Sequence, residues 1–78
     1  MRIDVKGTIV NSDEAWIYDW FGIENTSPKP ISDALARARG EPVDVYINSG
    51  GGDIFAGSEI YSELRAYKGP VALHVTGL

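Results

Sequence analysis

The six residues Asn48-Ser49-Gly50-Gly51-Gly52-Asp53 set three consecutive glycines among an amide, a hydroxyl and a carboxylate. The apolar run Val43-Asp44-Val45-Tyr46-Ile47 precedes them and Ile54-Phe55-Ala56-Gly57-Ser58-Glu59-Ile60-Tyr61 comes after, so the segment reads as strand, glycine turn, helix. Consecutive glycines cost backbone entropy. They are expected where φ must be positive, or where another backbone or a ligand comes closer than a Cβ allows. Three readings fit such a turn. The first is a phosphate cradle of backbone N–H groups at a helix N-terminus. However, a P-loop needs Lys-Ser/Thr at the helix start and the dinucleotide fingerprint needs Gly-x-Gly-x-x-Gly, whereas Asp53-Ile54-Phe55 places a carboxylate where the phosphate belongs. The second is a purely structural tight turn. The third is an oxyanion hole, in which backbone N–H donors face the charge that develops on a carbonyl oxygen during acyl chemistry.

The other reactive side chains are weaker candidates. His74 is the single histidine and sits mid-way along an apolar stretch, where a lone imidazole is more often structural than a base. Ser49, Ser58 and Ser62 are possible nucleophiles, but none occupies a Gly-x-Ser-x-Gly elbow, which favours turn and helix-surface hydroxyls. Asp13-Glu14 and Ser58-Glu59 read as charges at helix starts. Trp16 and Trp20 are spaced i, i+4, which points to packing or subunit contact before a ligand platform.

These residues need a scaffold, and the chain supplies one in order. Over residues 2–10, Ile3, Val5 and Ile9 share one face against Asp4, Lys6 and Thr8, the alternation of a strand interrupted by Gly7. Asn11 and Ser12 offer N-cap chemistry for a short helix carrying Ala15, Trp16, Tyr18 and Trp20, which Gly22 ends. Residues 24–27 read as a loop. Ser27-Pro28 starts the next helix, Ile31, Ala34, Leu35 and Ala38 form its apolar face, and Gly40 stops it. A strand over 43–48, a helix over 54–67 capped by Asp53, a break at Lys68-Gly69-Pro70 and a strand over 71–76 complete a βαβ unit with a right-handed crossover. Ala56, Ile60, Leu64 and Tyr67 make the apolar stripe of that helix. The fold class is α/β with parallel strands, at least three of them.

Composition bounds the rest. At 78 residues and 44% hydrophobic content the chain holds one globular domain at most, and with no cysteine it has neither a disulfide framework nor a thiolate zinc site. The net charge of −4, with basic residues scattered, argues against a nucleic-acid surface. No stretch approaches the roughly 20 apolar residues of a membrane span, and the strict alternation at the N-terminus is unlike a signal peptide. A cytoplasmic protein is expected, with no metal or organic cofactor. A final parallel strand with nothing after it to cover it implies the amino-terminal part of a longer protein.

Tyr46-Ile47-Asn48-Ser49-Gly50-Gly51-Gly52, followed by Ala56-Gly57, Ile60-Tyr61 and Gly69-Pro70-Val71, resembles the Tyr-Ile-Asn-Ser-Pro-Gly-Gly...Ala-Gly...Ile-Tyr pattern of Clp-type serine peptidases. It is most like the Clp-like head maturation proteases of phages and prophages. The diagnostic part covers residues 43–78. The resemblance implies a Clp-peptidase/crotonase-like fold, of which these residues are a single partial domain. It also implies a serine endopeptidase that cleaves capsid or scaffold polypeptides in a bacterial host, assembled as a homo-oligomeric ring, with the need for an AAA+ unfoldase left open.

Residue by residue, the resemblance makes Gly52 the oxyanion-hole donor and sets Gly51, Asp53 and Ile54 beside the substrate backbone. Gly50 stands where the family has proline, which makes the turn more flexible, and Asp53 stands where an uncharged residue is common. The nucleophilic serine of the family comes after the next strand, and Gly77-Leu78 looks like the approach to it, so the serine is expected a few residues beyond Leu78. The triad histidine and aspartate come later still, so His74 does not match the catalytic histidine, and the 78 residues alone are expected to be inactive. Two other classes stay open: a crotonase-type acyl-CoA enzyme, which shares the oxyanion logic, and a non-catalytic ring-assembly module.

Overall fold

The computed structural model describes residues 1–77. Its elements are β1 (Arg2–Ile9), α1 (Ala15–Trp20), β2 (Asn25–Thr26), α2 (Pro28–Ala38), β3 (Val43–Gly52), α3 (Ile54–Ala66) and β4 (Val71–Gly77). The four strands form one sheet in the order β2-β1-β3-β4, and every neighbouring pair is parallel. This is the expected α/β class. The fourth strand, β2, lies where the sequence reads as a loop. Two residues are too few to show a period, and what holds them is tertiary: the buried Thr26 hydroxyl accepts from the Lys6 N–H at 2.9 Å and donates to the Lys6 carbonyl at 2.8 Å.

Period-two alternation turns Ile3 and Val5 of β1 and Val43 and Val45 of β3 to one face of the sheet. Ile31, Leu35 and Ala38 of α2 and Ile60 of α3 close over them. Val43 and Val45 are 1% and 0% exposed, so the centre of the core is the first half of β3, immediately before the glycines. Both helices therefore cover the same face. The opposite face keeps a polar row instead of a second helical layer. There the Arg2 guanidinium lies 3.9 Å from the centre of the Tyr46 ring, Tyr46 stacks on His74 at 4.4 Å, and His74 Nε2 meets Asp44 Oδ1 at 2.9 Å. The expected burial of the last strand on both faces is not what these residues make: Leu73 and Val75 of β4 are exposed.

The caps differ from the sequence reading in an informative way. Asn11 does serve the chain entering α1, with Oδ1 accepting from the Glu14 N–H at 3.0 Å. Ser12 serves another helix: its Oγ accepts from the Lys29 N–H in the first turn of α2 at 3.0 Å. Ser27 holds the N-cap position of α2 with extended backbone but makes no side-chain cap, since the hydroxyl from Ser12 reaches that turn. α1 is six residues long and buries none of them, with Trp16 64% and Trp20 77% exposed. The packing face expected of the two tryptophans is thus absent within the described residues. α1 lies against β2 at the edge of the sheet, with no facing layer to receive its rings.

Candidate active site

The glycine segment is not a turn placed after a strand: β3 runs through Gly50 and Gly51 and ends at Gly52. What sets it apart is a register shift. Lys6 pairs with Asn48, but Thr8 already pairs with Gly51, so β3 spends one more residue than β1 over this span. A bulge of this kind bends a strand and re-aims the residues beyond it. Ser49 fastens the bulge, because its Oγ donates to the Gly7 carbonyl and accepts from the Gly51 N–H at 3.2 Å. That leaves Ser49 as a brace in the backbone and not a free nucleophile.

The three glycines answer to different causes. Gly51 has φ +113° with nothing within 4 Å of an added Cβ, so its requirement is conformational. Gly52 has φ +148°, and a Cβ there would lie 2.3 Å from the Ile9 carbonyl oxygen and 2.9 Å from Thr8 Oγ1. The backbone that approaches Gly52 is therefore the chain's own β1, where the sequence reading assigned the close approach to a substrate. A Cβ at Gly50 would meet open space.

Immediately after Gly52, the Asp53 N–H donates to the Ile9 carbonyl at 2.8 Å, the last tie between the two strands. The Asp53 side chain turns the chain into α3, with Oδ1 accepting from the Phe55 N–H at 2.8 Å and the Ala56 N–H at 3.0 Å. Asp53 is thus the N-cap that its position predicts. Its carboxylate sits beside Gly52 because the helix needs it there. Asp53→Ala is expected to lower stability by about 1–2 kcal/mol and Asp53→Asn by less, since the amide oxygen keeps the cap; urea denaturation of the three proteins checks the order.

Gly51, Gly52, Asp53 and Ile54 are therefore contiguous at the carboxyl end of β3, where open parallel sheets place their ligands. Gly51 and Gly52 are exposed, and Ile54 and Phe55 are 83% and 87% exposed at the start of α3. Exposed backbone amides beside uncovered apolar side chains suit an extended polypeptide, which offers main-chain carbonyls and alternating side chains together.

His74 is remote from this segment. Tyr46 is its partner across the β3–β4 ladder, six residues before Gly52, or about 20 Å along a strand. With Asp44, Tyr46 and Arg2 it forms a brace across three strands, which fits the structural reading of this histidine. The brace was missed in the sequence, although pairing the two apolar strands in parallel would have brought 46 and 74 face to face. Among the described residues there is no group of three or more His, Cys, Asp or Glu that could hold a metal ion. No helix among them is long and apolar enough to cross a membrane. Leu78, part of the expected approach to a nucleophile, lies outside the described residues.

A parallel α/β sheet with a glycine bulge at a strand's carboxyl end, running into a capped helix, defines a class of scaffold shared by several chemistries. The family is fixed by comparison: the Clp protease model matches residues 31–78, more than half of the chain, from the first turn of α2 through β3, α3 and β4, and the chain belongs to the Clp protease family. The match begins at Ile31, twelve residues before the stretch on which the sequence resemblance was judged strongest. No curated protein and no solved structure matches the chain.

Proposed function

We propose that this chain is the amino-terminal, oxyanion-bearing part of a serine endopeptidase, of the kind that matures phage or prophage heads by cleaving capsid or scaffold proteins. Family membership makes the chemistry that of a protease. The observation that carries the finer reading is the division of labour among three consecutive amides. The Gly51 N–H is spent on Ser49 and the Asp53 N–H on Ile9, each by a hydrogen bond that shapes the bulge. The Gly52 N–H lies between them at an exposed position beyond Asn48↔Gly77, the last pair of the β3–β4 ladder. Preorganised donors held by such a frame stabilise a tetrahedral oxyanion without reorganising.

In this reading a serine carboxyl-terminal to residue 78 attacks the peptide carbonyl and forms an acyl-enzyme. The Gly52 N–H holds the oxyanion, and Gly51 and Ile54 border the extended substrate. Asp53 contributes by fixing the bulge against α3. The full-length protein assembles as a homo-oligomeric ring in the cytoplasm of a bacterial host. The test is covalent labelling of the full-length protein with a serine-directed fluorophosphonate, followed by peptide mapping. A single labelled serine shortly after residue 78 is expected, with loss of peptide hydrolysis on labelling. An unlabelled protein that binds acyl-CoA would instead make it a crotonase-type enzyme, and an unlabelled ring without hydrolysis would make it an assembly module.

A further inference from the structure

The surface around α1 is aromatic and acidic. Trp16, Trp20, Phe21 and Ile23 are exposed, and the Trp20 and Phe21 rings lie 5.4 Å apart. Between Lys6 and Lys29 the chain has Asp13, Glu14, Asp19 and Glu24 and no basic residue. The far end of α2 has the opposite character. There a groove of about 460 Å³ runs between α2 and α3, lined by Leu35, Ala36, Ala66 and Tyr67 and by the basic Arg39 and Lys68, with Glu63 its acidic member. Arg37 and Arg65, in the last turns of the two helices, add to the positive charge of that end, against Glu41 in the loop after α2.

The two surfaces complement each other in shape and in charge, since aromatic rings fill an apolar groove and carboxylates face cations. Exposed tryptophans beside Arg and Lys also gain cation–π attraction. They cannot meet within one chain. The bond from Lys29 to Ser12 holds the approach to α1 at the first turn of α2, and the groove lies at the last turn, eleven residues or about 16 Å away. We propose that two copies of this chain associate head to tail, with Trp16 and Trp20 of one copy seated in the α2–α3 groove of the next. A contact of this kind is heterologous, so it propagates and closes into a ring if the rotation allows. Scaled by their exposure, the three rings offer on the order of 300–500 Å². That is a large share of the roughly 800 Å² per partner in a standard interface.

This inference rests on the assembly part of the proposed function and not on its chemistry, and sedimentation velocity on the full-length protein tests it. Trp20→Ala removes the knob and Ala66→Glu, at an exposed helix position, blocks the groove. Each variant alone is expected to weaken self-association by at least about thirtyfold, the loss typical of a hot-spot tryptophan. An equimolar mixture of the two is expected to form a dimer and stop there, because each variant keeps the half of the contact that the other lacks. Circular dichroism identical to the parent excludes unfolding as the cause, and Trp16→Ala repeats the knob test if Trp20→Ala is not identical. A monomeric parent protein overturns both the ring and the contact. A parent that assembles while Ala66→Glu assembles equally well, or a mixture that stays monomeric, overturns the contact alone.

Discussion

Gly52→Val is expected to lose both fold and activity. The added Cβ meets the Ile9 carbonyl oxygen at 2.3 Å and the Ile9 nitrogen at 2.8 Å, and both are backbone atoms that no rotamer change can move aside. Relief requires β1 and β3 to separate at their carboxyl ends, which gives up the hydrogen bond from the Asp53 N–H to Ile9 and the bridge between Ile9 and Gly52. A φ of +148° adds a conformational penalty of about 1–3 kcal/mol for any residue with a Cβ, on top of about 1–3 kcal/mol for overpacking. Together these are a large part of the ~4–12 kcal/mol that a domain of this size commands. Urea titration is expected to show the midpoint falling sharply. Gly50→Ala, where the added methyl meets nothing within 4 Å, serves as the control and is expected to change stability by less than about 1 kcal/mol. A Gly52→Val protein as stable as its parent would show that the two strands are not in contact here. Because the substitution attacks the fold first, it cannot by itself assign a catalytic role to this residue.

That outcome differs from what the sequence suggests, and the reason is physical. Three glycines announce that something approaches closely, but a one-dimensional pattern does not say what approaches. For Gly52 the neighbour is Ile9, forty-three residues earlier, and only the parallel register of β1 on β3 brings it there. Where the signal is local, the sequence was sufficient. Alternation at Ile3 and Val5, helical spacing from Ile31 to Ala38, and Asp53 ahead of Ile54 all appear in the fold where they were read. Where the deciding contact is distant, the reading failed. Ser12 caps α2 across seventeen residues and not the helix beside it, β2 exists through Thr26 bonding to Lys6, and the tryptophans of α1 find no layer to pack against. The bulge belongs to the same class. Its brace, from Ser49 to Gly7, spans forty-two residues, and nothing in Asn-Ser-Gly-Gly-Gly reveals it.

The role of the Gly52 amide is best isolated by removing one atom and leaving the shape. Replacing the peptide bond between Gly51 and Gly52 by an ester, through semisynthesis of the full-length protein, exchanges the Gly52 N–H for oxygen and adds no Cβ. If that N–H holds the oxyanion, kcat for peptide hydrolysis is expected to fall about 10²–10³-fold, equivalent to about 2.7–4 kcal/mol. KM is expected to stay near its parent value, because the donor is engaged only when charge develops on the carbonyl oxygen. The ester one bond later, at Asp53, gives the opposite pattern. It deletes the N–H that donates to Ile9 at 2.8 Å, so stability is expected to fall by about 1 kcal/mol while kcat in the folded protein changes little. The two esters are adjacent, isosteric and equal in their effect on unfolded chain chemistry, so a difference between them reports the direction in which each amide points. If both lower kcat equally, or neither does, the strand's end is a structural joint and the oxyanion donor lies elsewhere. If only the ester at Gly52 does, the bulge is accounted for: the extra residue in β3 lets Ser49 and Ile9 hold the flanking amides while the one between them faces the reaction.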